Sequence, residues 1–198
     1  MVEIALAIAI IAIGISSVLA LFPIGINATR EAMNNDFFPE TAEYVTNYFR
    51  GAALNTWKSG ITTNTFSTNP LGTLVAAQLA DVKNVDPKGV AFTGQVSGFP
   101  DLYSSATAGV YKYERTGYNG EVVFTGWIKA WKVAPGSDIY GYDVSDSTLK
   151  TMNSISGISA DLNQIMQSIM VEVSWAGDNA RTFRVDIYNS YYRIIPSP

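Results

Sequence analysis

Residues 2–26 read VEIALAIAIIAIGISSVLALFPIGI, and this stretch decides the fold. Its only charge is Glu3, and the next along the chain is Arg30. As a helix rising ~1.5 Å per residue, the run covers the ~30 Å hydrocarbon core of a bilayer. A lone carboxylate at the lip of such a run is costly, because burying it unpaired costs several kcal/mol. A simple anchor has no use for that glutamate. A helix that packs among other chains, its carboxylate meeting a neighbour's positive group, does.

Within the run, Ile4, Ile8, Ile11, Ile15, Val18 and Phe22 recur at helical spacing and form a bulky stripe. Ala5, Ala9, Ala12, Ser16 and Ala20 form a second stripe of small residues, the kind that lets membrane helices approach closely. Pro23 lacks an amide hydrogen and its ring opposes the carbonyl of Leu19, so the helix is predicted to kink or open there. Gly14 and the Ser16-Ser17 pair lower the cost of opening upstream. Asn27 to Asn34 resumes a helical pattern, and Pro39 predicts a second break, with Asp36 as the cap of the next helix. Val45, Tyr48, Phe49, Ala52 and Ala53 then give an apolar stripe. Residues 40–58 therefore read as an amphipathic helix whose apolar face lies on a sheet. Asn27-Ala28-Thr29 matches a glycosylation sequon, but its helical setting makes chance the better account.

The residues Val2-Glu3-Ile4, the alanine-isoleucine run Ala5 to Ile13, Gly14, and Pro23 after Leu21-Phe22 resemble the N-terminus of type IV pilins and type II secretion pseudopilins. The start resembles most the minor-pilin and pseudopilin branch. The resemblance covers about the first thirty residues in detail and the remainder in general plan. In most members the glutamate stands two places further from the mature terminus. The resemblance implies a structural subunit of a helical surface filament, with Glu3, Ile4, Ile8, Ile11, Gly14 and Pro23 as assembly residues. It also implies that Glu3 neutralises the terminal amine of the adjacent subunit. The implied partners are copies of the chain itself, the inner membrane before assembly, the pilus or secretion assembly machinery and a prepilin peptidase. The implied final location is the cell-surface filament. Since Arg30 flanks the span on the side to be exported, the positive-inside tendency predicts a basic leader upstream of Met1, removed on processing. The alternatives are a minor pilin or pseudopilin, and a membrane-anchored binding protein that never polymerises, including one held by an uncleaved signal anchor.

The remaining residues suffice for one compact domain. The predicted class is α+β: a long N-terminal hydrophobic helix followed by a C-terminal antiparallel sheet. Residues 1–58 form the helical spine and 59–198 the β-rich head. In the whole chain of 198 residues, 47% are hydrophobic and 12% aromatic, which excludes a disordered stalk. The net charge of −4 comes without a basic tract and argues against nucleic acid as a partner. The chain has no cysteine and no histidine, so thiol nucleophiles, disulfides and the Ser-His-Asp triad are excluded. No carboxylate pair stands out, and neither an enzyme nor a cofactor is predicted. Asp138, Asp143 and Asp146 in GSDIYGYDVSDS form a weak calcium candidate, their spacing matching no defined loop. A solvated turn is the better reading.

Residues 59–73 (SGITTNTFSTNPLGT) read as an exposed polar connection, and 74–82 as a short helix. Val90–Val96, Gly109–Arg115 and Glu121–Val133 read as strands, with Asn119-Gly120 a tight turn and Gly126 a bulge. The clearest hairpin is C-terminal, with 176–180 as its loop. Ile165, Ile169, Val171, Val173 and Trp175 lie on one face of its first strand, and Phe183, Val185 and Ile187 on one face of the second. The eleven tyrosines and four tryptophans are assigned to core and strand positions rather than to a conducting chain.

Overall fold

The computed structural model describes residues 2–63, 66–134, 140–143, 148–151, 158–175 and 180–192. The fold is α+β, a long N-terminal helix followed by a six-stranded antiparallel sheet. By its internal contacts the chain divides into Met1–Glu40 and Thr41–Pro198.

Helix α1 runs Val2–Thr63 with Pro23 and Pro39 inside it. The helix is therefore not interrupted at either proline: the opening expected at Pro23 and the break expected at Pro39 are not found, and Asp36 is an exposed mid-helix residue rather than a cap. Proline forfeits one hydrogen bond and opposes the preceding turn, about 3 kcal/mol in all. Helix propagation through the long runs on both sides offsets that cost. The helix also extends past Lys58, into the stretch whose composition predicts a polar loop. Ser59 Oγ donates to the Thr56 carbonyl at 2.6 Å and Thr62 Oγ1 to the Ser59 carbonyl at 2.9 Å, so these side chains satisfy carbonyls of the last turns.

In the second unit the C-terminal part of α1 supplies the centre of the core. Thr41, Val45, Phe49, Ala53 and Trp57, one every four residues, are all buried. The stripe predicted from Val45, Phe49 and Ala53 is thus present, and Trp57 completes it. Against it lies one face of the sheet, whose order is β1-β2-β3-β4-β7-β8. The strands are β1 (Phe92–Val96), β2 (Phe99–Ser105), β3 (Val110–Thr116), β4 (Val122–Val133), β7 (Met166–Ser174) and β8 (Ala180–Tyr188). The hairpin of β5 (Tyr140–Asp143) and β6 (Thr148–Thr151) and the helix α3 (Ile158–Ile165) fall between β4 and β7. Buried Leu102, Tyr113, Ile128, Val171 and Ile187 represent the inner face. Aromatic edges join helix to sheet: Tyr44 meets Phe99 and Tyr113 at 5.3 Å, and Phe49 meets Tyr111 at 5.6 Å between ring centres.

Strand alternation puts Val110 and Trp131 on the opposite face. There they form a second cluster with Ala76 and with Val82 of α2 (Leu79–Lys83). The segment before α2 enters the ladder beside β4, just ahead of the start of β3. Ala76 N donates to the Ala130 carbonyl and Lys132 N to the Ala76 carbonyl, both at 2.9 Å, in a parallel bridge. The short helix predicted over 74–82 is therefore shifted toward its C-terminal end, because Leu74 to Ala76 is occupied by this junction.

Three details depart from the strand expectations. The register shift in the β3–β4 ladder lies at Arg115/Thr116, while Gly126 pairs regularly with Tyr113. Gly126 instead makes room: a Cβ there would lie 3.2 Å from the Phe124 ring. Strand β2 escapes sequence reading because FPDLYSS carries proline, aspartate and serines, poor strand formers. Pro100 is tolerated since the pairing of β2 with β3 starts only at Leu102. Finally, Ile165 ends α3 instead of opening the hairpin. Asn189 fixes that corner, its backbone N donating to the Ile165 carbonyl at 2.7 Å and its Nδ2 to the Gln164 carbonyl at 2.9 Å. The remainder of the hairpin pairs from Met166↔Tyr188 to Ser174↔Ala180 as expected. The turn at Asn119-Gly120 is present too, with Gly120 at φ 82°.

Candidate assembly interface

The first unit is a helix with nothing of its own to pack against. Every described side chain from Val2 to Met33 is exposed, including fourteen large apolar ones between Val2 and Ile26. Ile4 is 67% exposed, Ile8 62% and Ile11 58%. Full burial of such a side chain contributes about 1.5–3 kcal/mol, so at its present exposure the segment carries on the order of 20 kcal/mol of unrealised burial. An apolar surface of this extent requires lipid or other protein around it. The helix is long and apolar enough to cross a membrane.

The polar groups of this segment are largely internal. Ser17 Oγ donates to the Ile13 carbonyl at 2.8 Å, and Thr29 Oγ1 to the Gly25 carbonyl at 2.9 Å. Such back-bonding hides hydroxyls inside an apolar helix. Glu3 stands exposed in the first turn, where a carboxylate complements the helix dipole. It has no ion-pair partner among the described residues. Gly14 is equally without a local reason, since a Cβ added there meets nothing within 4 Å. Helical glycine costs about 1 kcal/mol relative to alanine. Pro23 lies one turn beyond Leu19, whose carbonyl it leaves without an i+4 amide. All six predicted assembly residues therefore lie on the one exposed apolar segment, and Ile4, Ile8 and Ile11 succeed one another at three- and four-residue steps along it.

The calcium candidate cannot be built from described side chains. Asp138 and Asp146 lie outside the described residues, and only the backbone of Asp143, in β5, is described. Among the described residues no three acidic side chains come together as a metal site.

The head contains a second feature that the sequence does not disclose, a cavity of about 650 Å³ bordered by α1, the β1–β2 turn and the β2–β3 connection. Tyr48 and Tyr111 stand at its wall, their rings edge to face at 5.7 Å. Tyr111 donates its hydroxyl to the Leu74 carbonyl at 2.6 Å. Burial raises the pKa of both phenols, for Tyr111 reinforced by its neighbour Tyr48. Nothing in the local sequence, a mixture of serine, threonine and alanine, distinguishes this cavity lining from an ordinary loop. Lys132, at the far end of β4, donates to Asn69 Oδ1 and to the Gly72 carbonyl, and burial lowers its pKa.

The geometry defines a class, a protein with an exposed apolar helix of membrane-crossing length continued into an α+β head. Comparison of the chain with protein-family models, with curated proteins and with solved structures finds no match.

Proposed function

We propose that the chain is a structural subunit of a type IV pilus-like helical filament, polymerising through residues 2–26. The observation that carries this reading is the combination, on one fully exposed apolar helix, of Glu3 and Gly14. Both are liabilities for a helix surrounded by lipid, and both gain a purpose among neighbouring helices. A carboxylate facing a neighbour's terminal amine forms a charge pair, and a glycine admits a close backbone approach. Before assembly the same segment holds the subunit in the inner membrane, from which the assembly machinery extracts it after a prepilin peptidase has removed the leader. In the fibre the sheet-bearing head forms the outer surface. The sequence resemblance of residues 2–23 to pilins and pseudopilins points the same way.

Electron microscopy of fibres sheared from cells that express the chain, with mass spectrometry of their main protein, tests the reading. Fibres built mainly of this chain support it. Its presence only as a trace component makes it a minor pilin or pseudopilin. Recovery only in the membrane fraction, with no fibres under any growth condition, leaves a non-polymerising anchored protein and overturns the proposal.

A further inference from the structure

The head cavity has a chemical character that restricts what can fill it. Its volume of about 650 Å³ lies within the range of small-molecule sites, ~300–1,000 Å³. None of the residues around it carries a carboxylate, an ammonium or a guanidinium. Its only titratable groups are the phenols of Tyr48 and Tyr111, un-ionised at neutral pH and held further from ionisation by burial. A phosphate, carboxylate or amine would enter without a counter-charge and lose its hydration, at a cost of several kcal/mol.

A purely apolar occupant fits no better. Ser104 lies opposite Tyr111 in the β2–β3 ladder, so its hydroxyl shares the face on which the Tyr111 ring stands. Thr107 sits in the connection between these strands. Among the described residues neither hydroxyl has a protein partner, and an apolar ligand would bury both unsatisfied. Ser105, in contrast, is already committed, its Oγ donating to the Thr107 carbonyl at 3.0 Å and accepting from Thr107 N at 3.1 Å. That pair of bonds fixes the loop and leaves the Ser104 and Thr107 hydroxyls free to bond an occupant. Beside them stand the half-buried Tyr48 ring and the side chain of Leu74. The lining therefore combines fixed hydroxyls with aromatic and aliphatic surface and has no charge. A pyranose ring matches that combination: its C–H face covers an aromatic ring while its rim of hydroxyls both donates and accepts.

We propose that this cavity binds a neutral saccharide, one or two rings in size, between Tyr48, Ser104 and Thr107. The site is independent of polymerisation, since every residue of it lies in the second unit. A filament subunit and an anchored monomer would present it alike.

The test is saturation-transfer NMR on the full chain in dodecylphosphocholine, a detergent without a sugar headgroup. The probes are the methyl glycosides of glucose, galactose, mannose and N-acetylglucosamine, with N-acetylneuraminic acid and glucose 6-phosphate as charged counterparts. Binding of at least one neutral glycoside, with the charged probes roughly tenfold weaker or silent, is expected. Ser104→Val keeps strand propensity while removing the hydroxyl, and is expected to weaken that binding roughly tenfold, as is Thr107→Val. Tighter binding of an oligosaccharide ending in the same sugar identifies a glycan end as the ligand, and equal affinity identifies the free sugar. Silence of all neutral probes at their solubility limits overturns the proposal. So does binding that both variants leave unchanged while their thermal melts match the parent, or binding led by a charged probe.

Discussion

Gly109→Ala is expected to be among the most damaging single-methyl additions in the head, and Gly120→Ala isolates the reason. Both glycines hold a positive φ, 77° and 82°. For an L-residue with a side chain, that conformation costs about 1–2 kcal/mol. At Gly120 that is the whole cost, since an added Cβ meets nothing within 4 Å. At Gly109 the Cβ collides with the Ala130 carbonyl oxygen and lies 2.6 Å from the Ala76 amide nitrogen. Those atoms belong to the junction at which the Ala76 segment, β4 and the start of β3 meet. Ala130 N donates to the Gly109 carbonyl at 2.7 Å, and Ala76 N to the Ala130 carbonyl at 2.9 Å. Relieving the clash breaks one or both bonds, and each buried group left unsatisfied costs about 1–3 kcal/mol. The total is roughly 3–5 kcal/mol for Gly109→Ala against about 1–2 kcal/mol for Gly120→Ala. In a domain of this size 1 kcal/mol shifts Tm by about 2–4 °C. Thermal melts followed by tryptophan emission, with buried Trp57 and Trp175 as reporters, should therefore drop by roughly 10 °C and about 4 °C. Equal drops for the two variants would refute the steric account of the junction and leave only backbone strain.

Trp57→Ala should destabilise the head by about 3–5 kcal/mol, because the side chain is fully buried and its Nε1 donates to the Ser67 carbonyl at 3.0 Å; chemical denaturation reads this directly. Tyr111 has its pKa raised above the ordinary value of 10.0 by burial. Its folded state therefore keeps the proton where the unfolded chain loses it, so its stabilising contribution is complete below pH 10 and is lost as pH rises beyond it. Tyr111→Phe should cost about 1 kcal/mol at pH 7 yet flatten the alkaline fall in stability, and an equally steep fall would contradict the linkage. On the proposed assembly, Glu3→Gln should leave membrane insertion intact while fibre yield collapses, and normal yield from sheared cells would remove the charge-pairing argument. The segment Gly14 to Pro23, helical in the single chain, is expected to open partly in the fibre, and a filament map with unbroken i→i−4 bonding from Gly14 through Asn27 would exclude that.

How legible each element is depends on whether its determinants are local. The apolar helix, the stripe from Val45 to Ala53 and the C-terminal hairpin announce themselves by period, because each buries or exposes one continuous face. Strand β2 is invisible by that measure, since FPDLYSS is held by neighbours on both sides rather than by its own propensity. The prolines mislead for a related reason. Pro23 and Pro39 are local signals for a break, and the cost they carry is outweighed by helix on either side. The α3–β7 boundary carries no glycine or proline and is fixed in part from a distance, Asn189 bonding back across 24 residues of sequence to Ile165. The proposed assembly residues can be named because they share one segment. The cavity cannot, because Tyr48, Ser104 and Tyr111 converge only when helix and sheet are packed.

The two units meet opposite demands, and this bears on why the first reads as an assembling helix. In the head, three polar side chains packed in or beside the core find partners within the chain: Trp57 bonds the Ser67 carbonyl, Tyr111 the Leu74 carbonyl, and Gln167 Nε2 the Asn163 carbonyl at 3.0 Å. The first unit is left unsatisfied at three points. Its apolar side chains are exposed, its Gly14 is not required by any contact of its own, and its Glu3 has no counter-ion among the described residues. Lipid answers the first and aggravates the third, since a carboxylate drawn toward hydrocarbon costs more than one left in water. Neighbouring helices answer all three at once, by covering the isoleucines, by approaching over Gly14, and by bringing a positive group to Glu3. A segment tuned only for anchoring would gain by replacing Gly14 with alanine, about 1 kcal/mol in a helix, and by losing the carboxylate altogether. That this chain carries both, fifteen residues or fewer from the same end of one helix, favours a state in which other copies surround it.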